Sequence, residues 1–325
     1  MTQDSSNDIS QMGQDAIARY AGMSTFMRRP YKPELDGAEI ALVGLPYEFQ
    51  TGRGSAKLGP TQIREMSGLI RQHSFHGIAP FELCKVVDAG NSPVNPMDPK
   101  KSIEMAAEFV AGIAATGAAV VSAGGDHGVT FSAIKGLVGD REPIGLIHLD
   151  AHPDTYDDPY GGDFIHHGNA IRASIEHGFV DASRAISLGI HGTRFILEDR
   201  DWHRDHGMSL LTIEDIDRIG IDGTLERVRQ VVGDGPVYVT FDIDALDTPY
   251  AIGTGAPEPD GLSMKQALAL VRGFQGLDVI GGDVMEVAPP FDPSGITALS
   301  AANLMFEILC ATAVAYAKRR DGATP

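Results

Sequence analysis

The chain has 325 residues, 43% of them hydrophobic and 22% charged, which is enough apolar material for one large α/β domain or two ordinary ones and too much for wholesale disorder. Its 26 Lys+Arg against 44 Asp+Glu give a formal net charge of −18. That balance argues against binding nucleic acid or an anionic membrane, both of which need a basic footprint, and it suits a cationic substrate.

Residues 1–20 predict a mobile tail, and Met1 to Asp15 is polar, without the apolar core of a signal peptide. Residues 21–320 predict a single catalytic domain with no internal linker or repeat. The apolar run Glu39 to Leu45 predicts a strand ended by Pro46. Gly59-Pro60 opens a helix through Arg71, because a proline's missing N–H has no helical partner in the first turn. Ser102 to Thr116 predicts an Ala-rich amphipathic helix stopped by Gly117. Further strands are predicted at Ala118–Ala123, Ile144–Asp150, Ala185–Ile190, Val237–Asp242 and Val279–Val287. Between and after them, helices are predicted at Asn169–His177, Ile221–Val232, from Ser263, and at Ile296–Lys318. Ser263 with Gln266 resembles a capping box. Short apolar strands alternating with helices imply a mostly parallel sheet covered on both faces. Cys84 and Cys310 read as buried thiols in a reducing compartment. No 18-residue apolar run is evident, so no membrane span is expected and the protein reads as cytoplasmic.

The chemistry gathers where strands end. Ala118–Ala123 runs into Gly124-Gly-Asp-His127, Ile144–Leu149 into Asp150-Ala-His-Pro-Asp154, and Val237–Phe241 into Asp242-Ile-Asp244. In an open parallel sheet the carboxyl ends of strands line the ligand crevice. Side chains at i, i+2 and i+4 of an extended segment project to one side, which groups Asp150, His152 and Asp154, and likewise Asp242 with Asp244. A lone aspartate at a strand end could be a turn or cap residue. Carboxylates this close repel one another unless cations compensate them. Such a set suits Mn²⁺, Zn²⁺, Ni²⁺ or Fe²⁺. Two ions about 3.5–4 Å apart could share one water and bring its pKa toward neutrality.

These three motifs resemble those of the ureohydrolase family of arginases, agmatinases and guanidino-acid hydrolases. Leu45-Pro46 with Gly59-Pro60, Gly253-Thr-Gly-Ala-Pro257 and Asp283-Val-Met-Glu-Val287 extend the likeness over roughly residues 20–320. The resemblance implies a three-layer α/β/α sandwich and a binuclear, metal-dependent hydrolase that cleaves a guanidino compound to urea and an amine. It places one metal on His127, Asp150, Asp154 and Asp242, and the other on Asp150, His152, Asp242 and Asp244. Mn²⁺ is the first expectation and Ni²⁺ the alternative. Glu286 matches the carboxylate that pairs with the guanidinium. His167 matches the proton shuttle, with His166 as its rival, and Asp154 or His167 protonates the leaving amine. Homo-trimers or homo-hexamers are the implied assemblies, with a paralogous subunit as a further option.

The departures from the pattern lie at the substrate rim. Gln50 to Leu58 is less Arg- and Gly-rich than in the family, Asp247-Thr248 stands for Asp-Pro, Ala256 for Thr, and His191 for a frequent Arg. Arg53, Asn169, His191 and Glu258 are the remaining candidate substrate contacts. Glu258 and Asp260 disfavour a carboxylate tail unless Arg53, Lys57 or Arg194 offsets them. The open substrates are therefore a guanidino acid, agmatine, guanidine, an alkylguanidine, or a biguanide such as metformin, the last with nickel. Tyr156 and Tyr160 either pack the 155–166 loop or line the pocket, and Trp202 reads as a surface or subunit-contact residue. Two further readings are a non-catalytic subunit or sensor on the same fold, and an amidine hydrolase that releases formamide.

Overall fold

A computed structural model describes residues 18–49, 52–157 and 163–322. The tail expected over residues 1–20 lies outside them as far as residue 17, as do Gln50, Thr51 and Tyr160.

The strands are β1 (Ile40–Leu45), β2 (Val86–Asn91), β3 (Ala119–Gly124), β4 (Ile144–Leu149), β5 (Val180–Ile190), β6 (Ser209–Thr212), β7 (Val237–Asp242) and β8 (Val279–Met285). They form one sheet in the order β2-β1-β3-β8-β7-β4-β5-β6, and every ladder between them is parallel. The mostly parallel sheet expected from the pattern is thus wholly parallel among the described residues. The expected set lacked β2 and β6. Both are outer strands; β6 is short and half-buried, and β2 carries Asp88, so neither reads as a buried apolar run.

The main helices are α1 (Gly59–Ser67), α2 (Pro80–Leu83), α3 (Pro99–Ala114), α4 (Val129–Val138), α5 (Ala170–Glu176), α6 (Asp201–Asp205), α7 (Ile213–Val232), α8 (Met264–Gly273) and α9 (Ile296–Gly322). Strand parity divides the core in two. Ile40, Leu42, Ile147 and Leu149 pack with Ile63 of α1, Val228 of α7, Leu270 of α8 and most of α9. Ala41, Val43, Leu45 and Leu146 point the other way, onto Ile103 of α3, Ile134 of α4 and Ile171 of α5. Successive strand side chains face opposite ways, so a strand apolar at every position must be covered on both sides. The result is the expected three-layer α/β/α sandwich.

Helix starts follow their caps. Ser263 accepts from the Gln266 N–H and Gln266 reaches back to the Ser263 N–H, the box anticipated for α8. Thr212 and Asp215 make the same box at the head of α7, which is interrupted at Gly220 with φ 73°. The helix expected from Ile221 is therefore the second half of α7. Helix α4 has nine buried residues and no polar face, so it lacked an amphipathic signature.

The expectation that no stretch is apolar enough to span a membrane needs correction. Helix α9 meets that test on length and composition, but 83% of its apolar window is buried inside the fold. A helix covered on every side has the composition of a span without being one. Cys84 and Cys310 are free, buried thiols, as expected.

Candidate metal centre

Strands β7 and β8 lie between β3 and β4, so the three motifs and Glu286 arrive at the carboxyl ends of four adjacent strands. At the centre, His127 Nδ1 is 3.0 Å from Asp150 Oδ2, 3.0 Å from Asp154 Oδ2 and 3.1 Å from Asp242 Oδ2. It makes an in-line hydrogen bond to none of them. A ring nitrogen cannot satisfy three carboxylates directly. Ligand atoms on a common ion with bonds of about 2.1 Å sit roughly 3.0–3.4 Å apart, the edge of an octahedron or tetrahedron. The spacing around Nδ1 has that form.

A second cluster adjoins it through Asp150. His152 Nδ1 lies 3.1 Å from Asp244 Oδ2 and 3.5 Å from Asp150 Oδ1. The expected ligands His127, Asp150, His152, Asp154, Asp242 and Asp244 are therefore brought together. All are buried except His152, which is partly open. Asp154 and Glu286 adopt φ of 48° and 66°, left-handed conformations that cost non-glycine residues about 1–2 kcal/mol. Strain of this kind gathers at functional sites.

The electrostatics need positive charge. Burial, with Asp244 and Asp150 nearby, pushes the Asp242 carboxyl well above the usual carboxylate range. Burial, with Asp150 nearby, raises Asp244 to about 6 against the opposing pull of His152. Burial opposes charge on His127, yet Asp150, Asp154 and Asp242 hold its imidazole well above the ordinary value. Without cations the repulsion among these buried carboxylates is relieved only by retained protons.

Hydrogen bonds orient the donors. Asp150 Oδ1 accepts the His152 N–H (2.7 Å), Asp244 Oδ1 the Ala151 N–H (3.1 Å) and Asp242 Oδ1 the Asp244 N–H (2.9 Å). His127 Nε2 contacts Thr240 Oγ1 at 2.8 Å, and the Thr240 hydroxyl donates to Asp283 Oδ1 at 2.6 Å. Thr130 and Tyr238 donate to the other Asp283 oxygen. An imidazole ligand anchored through its second nitrogen is the usual support of a metal site.

His148 went unremarked among the candidates. It shares the parity of Asp150, and its Nε2 lies 2.8 Å from Asp150 Oδ2. With His127, Asp150 and Asp154 it forms a cluster of possible ligand atoms. Both of its nitrogens are already engaged, Nδ1 by Ser187 Oγ at 2.8 Å and Nε2 by Asp150, so it stands behind Asp150. The period-two pattern that exposed Asp150 and His152 could have exposed His148 too.

Around the centre, Glu286 Oε1 accepts the His127 N–H (3.0 Å), whereas its buried Oε2 has no partner among the described residues. His167 Nδ1 is likewise buried without a partner, and burial lowers its pKa. His166 instead accepts the Gly168 N–H and caps the 3₁₀ turn at 167–169. Asn169 serves that loop, accepting the His166 N–H and donating to the Phe164 carbonyl. Arg53 donates to the Ile252 and Thr254 carbonyls and stacks over Phe291. Glu258 accepts from Thr193 and stands 3.6 Å from His152 Nε2. His191 Nδ1 bonds the Gly189 carbonyl, leaving its Nε2 buried and unpartnered. Tyr156 packs edge-on to Phe195. Trp202 is half-buried and stacks on the exposed His206.

The model of the arginase family matches residues 38–311. The chain belongs to the arginase family. Guanidinopropionase of Pseudomonas aeruginosa is 41% identical to it over 304 residues, 93% of this chain and 95% of that protein. The mitochondrial agmatinase of Gallus gallus is 38% identical over 90% of this chain and 87% of its own length. The solved structure of proclavaminate amidino hydrolase from Streptomyces clavuligerus superposes with a TM-score of 0.88 at 37% identity, covering 92% of this chain and 100% of that one. This arginase-family chain is a C–N hydrolase of the ureohydrolase type, with a His/Asp cluster suited to divalent metal.

Proposed function

We propose that this arginase-family hydrolase cleaves a guanidino compound to urea and an amine at a centre of two divalent ions. The six donors, gathered in two groups that share Asp150, carry the reading. Mn²⁺ is the first expectation and Ni²⁺ the alternative, because both suit mixed imidazole and carboxylate donors. Bound there, the ions supply Lewis acidity and a water activated near neutral pH.

The chain's own groups do the rest. Glu286 offers its unpartnered Oε2 to the guanidinium, and its bond from the His127 N–H fixes which oxygen points inward. A carboxylate matches the planar donor face of a guanidinium. Water adds its oxygen to the central carbon, the C–N bond to the tail breaks, and the departing nitrogen takes a proton. His167 moves that proton, with Asp154 close to the same centre. Burial favours neutral His167, ready to accept a proton at its free Nδ1.

The rim supports a substrate whose tail carries no carboxylate. Glu258 stands at His152, while Arg53 is held by two carbonyls, Lys57 by Glu48 at 2.9 Å, and Arg194 by the Leu197 carbonyl at 3.0 Å. The three cations that could meet an anionic tail already have partners. The test is a urea assay on guanidine, methylguanidine, a biguanide, agmatine, 3-guanidinopropionate and 4-guanidinobutyrate, with Mn²⁺ or Ni²⁺ loaded separately. Urea from the first four, at higher kcat/KM than from the two acids, is expected. No urea from any compound with either metal refutes the hydrolase reading, and preference for an acid refutes the tail assignment alone.

A further inference from the structure

A line of buried polar side chains leads away from Asp150 Oδ2, the oxygen that also faces His127. His148 Nε2 meets Asp150 Oδ2 at 2.8 Å, His148 Nδ1 meets Ser187 Oγ at 2.8 Å, and Ser187 Oγ meets His203 Nε2 at 3.0 Å. These residues come from β4, β5 and α6. His148 and Ser187 are fully buried and His203 is 1% exposed. The His203 Nδ1 at the far end is buried and has no partner among the described residues.

The direction of every bond follows from its first member. An ionised carboxylate only accepts, so His148 Nε2 carries the hydrogen. A single ring hydrogen on Nε2 leaves Nδ1 to accept from the Ser187 hydroxyl. Ser187 oxygen in turn accepts from His203 Nε2–H. His203 is left with a bare lone pair at Nδ1. This arrangement of protons satisfies each contact along the line.

We propose that His148, Ser187 and His203 are positioning residues, a relay that holds Asp150 correctly rotated for the metals. It rests on the reading of the cluster as a metal centre. Asp150 is the carboxylate shared by both halves of that cluster, so its orientation affects both at once. The hydrogen bond at His148 Nε2 fixes which way that carboxylate faces. A purely structural network would only tie α6 to the sheet, so its loss would lower fold stability and leave metal affinity unchanged.

The experiment measures Mn²⁺ affinity of the metal-free full chain by competition with a chromophoric chelator. It compares wild type with Ser187→Ala, His203→Leu, His203→Gln and the double variant Ser187→Ala/His203→Leu, each shown folded by circular dichroism. Loss of an orienting partner behind a ligand costs about 10–100-fold in metal affinity. Ser187→Ala and His203→Leu should each lose affinity in that range. The double variant should be no worse than Ser187→Ala, because the chain is already cut. His203→Gln should keep near wild-type affinity, since its amide N–H takes the place of Nε2–H. Unchanged affinity in Ser187→Ala, or losses that multiply in the double variant, overturns the relay. A wild-type chain that binds neither Mn²⁺ nor Ni²⁺ overturns the metal reading beneath it.

Discussion

Asp150→Asn tests the centre at its shared ligand. Asp150 Oδ2 faces His127 Nδ1 at 3.0 Å and His148 Nε2 at 2.8 Å, while Oδ1 accepts the His152 N–H at 2.7 Å. An asparagine must turn its NH₂ toward one of these donors. The mismatch costs about 1–3 kcal/mol. Against that, the change removes one of four clustered buried carboxylates, so the metal-free protein should melt within a few degrees of wild type. The metal-bound states should diverge. A site filled at 100 times its Kd stabilises by about 2.7 kcal/mol. At about 2.1 cal/mol/K per residue, unfolding some 300 residues has an entropy near 0.6 kcal/mol/K, so each such site raises Tm by about 4 °C. Wild type should therefore gain about 8 °C on loading two sites, and Asp150→Asn almost nothing. Differential scanning fluorimetry with and without Mn²⁺, beside a urea assay, reads both effects. A full metal-induced shift together with near-normal urea release in Asp150→Asn would refute the shared-carboxylate assignment.

Glu286→Gln should lower kcat/KM by about 10–150-fold, the worth of a charge-assisted bond of about 1.5–3 kcal/mol, and steady-state kinetics on a responsive guanidine checks it. His167→Ala should lower kcat by about 10²–10⁴, the usual weight of a general acid–base group. His166→Ala should instead cost about 1 kcal/mol of stability through the lost cap, seen in urea denaturation, while kcat stays within a few-fold. Asp215 supplies a pH test on the fold. Burial opposes its charge, but the Thr212 N–H and hydroxyl and Arg218 hold its carboxyl below the ordinary value. A depressed folded pKa gives stability that is complete above the unfolded value of about 3.9 and is lost as pH falls through the folded one. The stability gap between wild type and Asp215→Asn should thus be present at pH 7 and shrink below about pH 4; a gap that persists unchanged into acid contradicts the assignment.

Much of the centre was legible because it is encoded at short range. Asp150, His152 and Asp154 lie two residues apart at the end of one strand, as do Asp242 and Asp244, and extended backbone puts such residues on one side whatever the rest of the chain does. The capping box at Ser263 and Gln266 is local in the same sense. The family likeness added Glu286, which no spacing rule would single out.

Tertiary structure decided the rest, because its contacts join residues far apart in the chain. The insertion of β7 and β8 between β3 and β4 brings Asp242 to within 3.1 Å of His127, and no local pattern contains that order. Ser187 and His203 look like ordinary strand and helix residues until the fold stacks them behind His148. Arg53 looks like a free cation in the sequence but is held by carbonyls 199 and 201 positions away. Side-chain type and period determine which groups can do the chemistry. Which of them remain unpartnered in the cavity depends on the packing of the whole sheet, since a buried polar group is satisfied by whatever the fold sets beside it.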